Sequence, residues 1–267
     1  MYRIAAAEKT LTGDTLEQRF EHALSLGFDG IEVQARDDGH FVSRTAELVS
    51  ARKNGVLISS AVVAMPWFIG DFDADRSRRA VEEMAQLLPV LGKAGAVGLV
   101  APNSFGVFSR KLPPYELPKD LDECRARLVE GLRTLGSIAD SEGVLVLLEP
   151  LNRYEDYLVH TLADGASVVC EVASPGVALT ADTYHMSVEE AQVGDAIRAN
   201  AELIGHVQLG DSNRLEPGNG HYDWADTLDA LLDIEYDGWL AMECGLSGTA
   251  DEVLPAVARL LKRAGAQ

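Results

Sequence analysis

Short aliphatic runs, each bounded by Gly or Pro, alternate with longer stretches of helical periodicity about every 30 residues. The runs predict eight strands: Arg3–Ala6, Gly30–Val33, Val56–Val63, Val97–Val100, Val144–Glu149, Gly176–Ala181, Gly205–Leu209 and Gly238–Glu243. Several, such as VLVLL at 144–148, show no polar alternation, as expected of parallel strands buried on both faces. Asp14 with Glu17, Ser187 with Glu190 and Thr249 with Glu252 have the spacing of capping boxes ahead of amphipathic stretches. One helix from about Arg76 to Leu91 carries Val81, Met84, Leu87, Leu88 and Leu91 on one face; another, from about Leu121 to Ser141, is the longest. Eight strand–helix pairs ending in a helix, with no linker or repeat between them, predict an α/β fold, a single (β/α)₈ TIM barrel spanning residues 1–267. An open doubly wound sheet is the rival architecture.

Four of the apolar runs stop at a polar side chain: Glu149, Asp182, Gln208 and Glu243. Two glutamates, an aspartate and an amide oxygen suit a hard divalent cation, Mn²⁺ or Mg²⁺, better than Zn²⁺. In a barrel these four side chains converge on the rim where catalysis takes place. A shared cation would also offset the cost of burying each carboxylate. Singly the residues are ambiguous. Glu149 is also within reach of Arg153; Gln208 also reads as a satisfied buried amide; His206, two residues back on the same face, is an alternative ligand. His185 follows Asp182 by three residues and can face the same ligand.

The long connections fall after the third, fourth and seventh strands: Pro66–Asp75 with Trp67 and Phe68, Pro102–Lys119 with Phe105, Phe108 and Tyr115, and Asp211–Asp223 with the EPGNGH stretch. All lie on the strand-exit side, where aromatic residues either floor a sugar-sized pocket or pack over the barrel mouth.

Composition narrows the function. A 47% hydrophobic chain supports a full core, while a net charge of −19 and a pI near 4.6 argue against nucleic-acid and anionic-membrane partners. No apolar run approaches the roughly 18 residues of a membrane span. The N-terminal MYRIAAAEKT lacks the pattern of a signal peptide. Three cysteines (Cys124, Cys170 and Cys244) cannot all pair internally, so the expectation is a cytoplasmic protein with reduced thiols, compatible with homo-oligomerisation.

The segments EPLNRYE, DTYHM, HVQLGDSNRLEPGNGH and the late MECG, with GFDGIEV at 27–33, resemble the xylose-isomerase-like TIM-barrel superfamily of sugar isomerases and epimerases. The ketose 3-epimerases and the hydroxypyruvate-isomerase-like proteins are the nearest branches. The resemblance implies one divalent metal held by Glu149, Asp182, Gln208 and Glu243, with Gln208 standing where ketose epimerases have His. It implies substrate contacts from Glu155, His185 and Arg214. Trp67 and His221 join them as candidate contacts from the long loops.

Isomerising or epimerising a hydroxy-ketone requires removal of a proton beside the carbonyl, and epimerisation needs an acid/base group on each face of that carbon. Glu149 and Glu243 are the catalytic candidates, and the expected substrate is a small unphosphorylated ketose or hydroxy-keto acid reacting through an enediolate. A keto-sugar or inosose dehydratase or lyase on the same metal site is the alternative, ahead of a non-catalytic sugar-binding barrel. A DNA-repair endonuclease of the same barrel type uses a His-rich zinc cluster, which six histidines and the acidic pI disfavour.

Overall fold

In the computed structural model, which describes residues 2–36, 39–107 and 119–263, the eight predicted strands are all present. They are β1 (Arg3–Ala7), β2 (Gly30–Arg36), β3 (Ile58–Ala64), β4 (Gly98–Pro102), β5 (Leu145–Glu149), β6 (Val177–Asp182), β7 (Ile204–Leu209) and β8 (Trp239–Met242). Each pairs in parallel with the next, and β1 pairs with β8, so the sheet closes into a barrel and the open-sheet alternative is ruled out. The aliphatic runs lie buried between lumen and helices, as their lack of alternation requires.

The helices are α1 (Leu16–Ser25), α2 (His40–Ser43), α3 (Thr45–Lys53), α4 (Ala74–Ala94), α5 (Leu121–Glu142), α6 (Leu162–Val172), α7 (Thr183–Glu189), α8 (Val193–Ala199), α9 (Trp224–Asp233) and α10 (Ala250–Arg263). Two capping expectations are corrected. Helix α1 starts one residue later than Asp14 suggests, with a capping box between Thr15 and Gln18. Ser187 lies inside α7, its hydroxyl donating to the Tyr184 carbonyl, and Glu190 instead accepts the Leu162 N–H at the start of α6. Thr249 and Glu252 do interact, Glu252 accepting both the N–H and the hydroxyl of Thr249 ahead of α10.

Closure brings distant segments together. The Tyr2 hydroxyl donates to the Leu261 carbonyl at 2.7 Å, and Lys262 pairs with Asp29 at 3.0 Å. Gly98 shows how tightly adjacent strands meet, since a Cβ there would lie 2.3 Å from the Leu145 carbonyl oxygen.

The lumen is partly polar. Glu32 on β2 accepts from the Ser60 hydroxyl on β3 at 2.7 Å and lies 3.1 Å from Nε2 of His206 on β7. Because β2 and β7 are not neighbours, this contact crosses the barrel interior. The Gln208 amide nitrogen reaches the same carboxylate at 3.4 Å.

Candidate active site at the strand-exit rim

Glu149 is the last residue of β5 and Asp182 the last of β6; Gln208 is register-paired with Asp182, and Glu243 directly follows β8. Parallel strands all point the same way, so these four occupy one end of the barrel. Glu149, Asp182 and His185 bring candidate ligand atoms within 4.8 Å of one another, the spacing of a metal site, of which the two carboxylates are the donors left available by the tautomer of His185. Glu243 and Glu149 line a cavity of about 440 Å³ together with His185 and Arg214.

These carboxylates are electrostatically unsettled. Burial raises the Glu149 carboxyl well above the ordinary range, and the nearby Glu243 and Asp182 push it further. Glu243 is raised likewise, first by burial and then by Asp182 and Glu32. Burial pushes Asp182 up to about 7, against the opposing pull of the His185 N–H and Arg214. The Arg153 guanidinium is forked onto Glu189, with Nη2 2.7 Å from Oε2. Two buried oxygens, Oε1 of Gln208 and Oε2 of Glu243, have no hydrogen-bond partner among the described residues. An oxygen-rich, charge-crowded rim with orphaned acceptors fits a hard divalent cation.

His185 has a different task from its acidic neighbours. Its Nδ1 accepts the Asn152 backbone N–H at 3.0 Å, so the neutral ring carries its proton on Nε2, 3.7 Å from Glu149 Oε1. Burial, aided by Arg214, pushes the imidazole down to about 3. A metal-ligating histidine uses its remote nitrogen to donate; here that nitrogen accepts, leaving Nε2–H as a donor into the site.

Arg214 reaches the cavity from the loop after β7. Its Nη1 donates to Glu155 Oε1 at 2.5 Å, and the guanidinium lies 4.7 Å from the Tyr184 ring. The Asp211 and Glu216 alternatives for pairing Arg214 are not realised. Asp211 accepts the Trp224 indole N–H and the Gly218 N–H, while Glu216 accepts from Ser247. Burial raises the Asp211 carboxyl, but the bonds from Trp224, Gly218, Ser212 and Tyr222 outweigh it and hold the group low. Arg214 sits at φ 59°, a left-handed conformation held by its N–H to the Asp211 carbonyl and its own carbonyl to the Gly245 N–H.

The loop carrying Glu155 is anchored by buried Asp156, which accepts from the Asn103 amide at 2.8 Å and the Ser104 hydroxyl at 2.9 Å. Sequence reading missed this pair; Asn103 and Ser104 follow the fourth strand directly, a position that flags rim residues in any barrel.

Other expected residues fall elsewhere. Trp67 is outside the cavity lining: its indole N–H donates to Glu83 on α4 and Arg79 stacks 3.6 Å away, while Phe68 and Phe105 line the cavity instead. His221 is exposed and holds its loop through a backbone N–H to the Ser212 hydroxyl, beside a separate cavity near α8. His206 lies in the lumen against Glu32 and Ser60, below the rim. Phe108 and Tyr115 lie outside the described residues.

Residues 20–264 match the xylose isomerase-like TIM barrel family. The chain is 31% identical to 3-dehydro-D-guloside 4-epimerase of Escherichia coli over 243 residues, 90% of this chain and 91% of that protein. It is 33% identical to the D-psicose 3-epimerase of Enterocloster bolteae over 224 residues, covering 82% and 73% of the two chains. The crystal structure of an E. coli 3-keto-D-glucoside 4-epimerase, 28% identical, superposes over all of both chains with a TM-score of 0.89. Fold, rim and relatives together define an enzyme of the sugar isomerase and epimerase class. Within that class, the chain belongs to the xylose isomerase-like TIM-barrel family.

Proposed function

We propose that this protein is a divalent-metal-dependent epimerase or isomerase that removes and returns a proton at the carbon beside a sugar ketone, through an enediolate. The observation that carries this reading is the shared cavity: two carboxylates, Glu149 and Glu243, three strands apart around the rim, face it with His185 and Arg214. The relatives point the same way. A 3-keto sugar inverted at C4 and a 2-ketose inverted at C3 both react at a carbon next to the carbonyl.

Glu149, Asp182, Gln208 and Glu243 would hold the metal, Mn²⁺ or Mg²⁺ by the chemistry of the donors. When bound, the cation supplies positive charge beside the carbonyl oxygen, which acidifies the neighbouring C–H. One of Glu149 and Glu243 takes the proton and the other delivers one to the opposite face, which inverts the centre. Return to the neighbouring carbon instead gives 1,2-isomerisation. The Nε2–H of His185 and the Arg214 guanidinium donate to substrate oxygens that gain charge. Glu155 holds Arg214 in place.

The test is incubation with Mn²⁺ and a panel of ketoses, keto-sugars and keto-acids in D₂O. Deuterium beside the carbonyl is the expected result, its position separating epimerase from isomerase. Expulsion of water would select a lyase, and no exchange with any member would end the proposal.

A further inference from the structure

The 440 Å³ cavity at the rim has two unlike walls. Its charged and imidazole side chains, Glu149, His185, Arg214 and Glu243, come from the exits of β5 to β8. The exits of β3 and β4 contribute Val62, Met65, Phe68, Pro102 and Phe105, and Leu151 extends this surface just past β5. Met65, Phe68 and Leu151 are buried, at 6%, 7% and 2% exposure, while Phe105, at 51%, forms the outer lip. Gln34, exposed on β2, is the one other polar side chain in the lining among the described residues.

This wall is apolar although polar residues adjoin it in sequence. Asn103 and Ser104 separate Pro102 from Phe105, yet both turn their side chains to buried Asp156. Trp67, next to Phe68, gives its indole N–H to Glu83. Asn152, next to Leu151, has its amide nitrogen on His185 and its amide oxygen on the Tyr154 N–H. Each of these side chains answers to a protein partner, and none joins the lining.

A bound sugar meets the two walls differently. With its ketone among the four polar side chains, its remote end reaches the apolar wall. A hydroxyl pressed against Met65, Phe68 and Leu151 leaves water without gaining a partner, which weakens binding. A methyl group in the same place gains contact instead. A charged group is disfavoured more strongly still.

We propose that the substrate is deoxygenated at the end remote from its ketone, a keto-sugar of the 6-deoxy kind whose methyl group lies against Met65, Phe68 and Leu151. The proposal rests on the proton-transfer reading above, which places the ketone among Glu149, His185, Arg214 and Glu243.

The test measures binding and deuterium exchange separately on Mn²⁺-loaded protein. Calorimetry compares 6-deoxy-D-psicose with D-psicose, 6-deoxy-L-fructose with L-fructose, and methyl 3-keto-glucoside with its 6-deoxy form. Within the pair that binds best, the deoxy member is expected to bind about ten- to hundredfold more tightly, the range an apolar pocket achieves against an added hydroxyl. Met65→Gln, which places an amide in the wall, should bring that ratio to within about threefold of unity. Should Met65→Gln fail to fold, the near-isosteric Val62→Thr is expected to lower the ratio about threefold. Equal or tighter binding of the hydroxylated member of that pair, or no binding in any pair, overturns the proposal, while exchange into any ketose still upholds the proton-transfer reading. A deoxy preference that the folded variant leaves unchanged also overturns it, because the methyl group then lies elsewhere. A deoxy preference that the variant abolishes, without exchange into any substrate, upholds the apolar subsite and overturns the proton-transfer reading.

Discussion

The backbone N–H of Asn152 donates to Nδ1 of His185 at 3.0 Å, with the Asn152 side-chain amide nitrogen 2.9 Å from the same atom, and these contacts decide which ring nitrogen carries the proton. With Nδ1 engaged and the ring pushed down to about 3, His185 is neutral and presents Nε2–H toward Glu149.

Nitrogen-15 NMR is therefore expected to show the Nε2–H tautomer of His185 throughout neutral pH, with no protonation at pH 5. The lowered value also sets a sign for stability. Between the ordinary 6.5 and about 3 the unfolded chain binds a proton that the folded chain refuses, so this group's contribution is lost as pH falls through that window. His185→Gln, which cannot titrate, should shed that part of the acid sensitivity in urea titrations at stepped pH.

Asp182 has the opposite sign. Burial pushes its carboxyl up from 3.8 to about 7, so its stabilising contribution is full below pH 3.8 and lost as pH rises through 7. In EDTA the melting temperature of the His185→Gln variant, free of the opposing histidine effect, is expected to fall between about pH 4 and pH 7. Saturating Mn²⁺ should remove that decline, since metal binding requires the ionised form. Identical melting curves with and without metal across this range would count against a cation at the rim.

Arg214 and Glu155 should behave as one unit. Arg214→Ala is expected to lower kcat/KM about tenfold or more, the loss of a charge-assisted hydrogen bond. Arg214→Lys should recover little, because an ammonium cannot reproduce the guanidinium that bonds Glu155 and lies against Tyr184. In a double-mutant cycle with Glu155→Gln the two losses should fall short of adding; simple additivity would mean that the pair is not coupled.

Glu32→Gln tests the lumen network. An amide cannot accept from Ser60, His206 and Gln208 as a carboxylate does, so unfolding should become easier by about 1–3 kcal/mol in denaturant titrations. Mn²⁺ affinity should fall as well, because the carboxylate draws the Gln208 amino group to itself and leaves Oε1 for the rim.

The eight strands and their polar terminators were legible because both are one-dimensional: a fully buried strand shows as an unbroken aliphatic run, and its end as the first polar residue. The same logic could not separate Gln208 from His206, which share a face two residues apart. What separates their positions is depth along β7: Gln208 is register-paired with Asp182 at the rim, and His206 with Thr180 below it. Trp67 and Phe68 pose a related problem. Neighbouring loop aromatics give no sign of which one turns toward the cavity, and Glu83 with Arg79 on α4 captures the indole. The capping at α1 moved by one residue because Thr15–Gln18 has the same spacing as Asp14–Glu17, and only backbone geometry chooses between them. Asp156, bonded to two residues of the preceding strand–loop junction, carries no local pattern at all.

The seam between β1 and β8, with Tyr2 bonded to Leu261, bears on how the protein is made. A ribosome releases β1 early and β8 last of the strands, so during most of synthesis β1 has an open edge whose partner does not yet exist. Neither glutamate pair nor cavity can assemble before that seam zips, because Glu243 emerges only with β8. A nascent chain stalled before residue 239 is then a curled sheet with two bare edges, the form of this protein most in need of a chaperone.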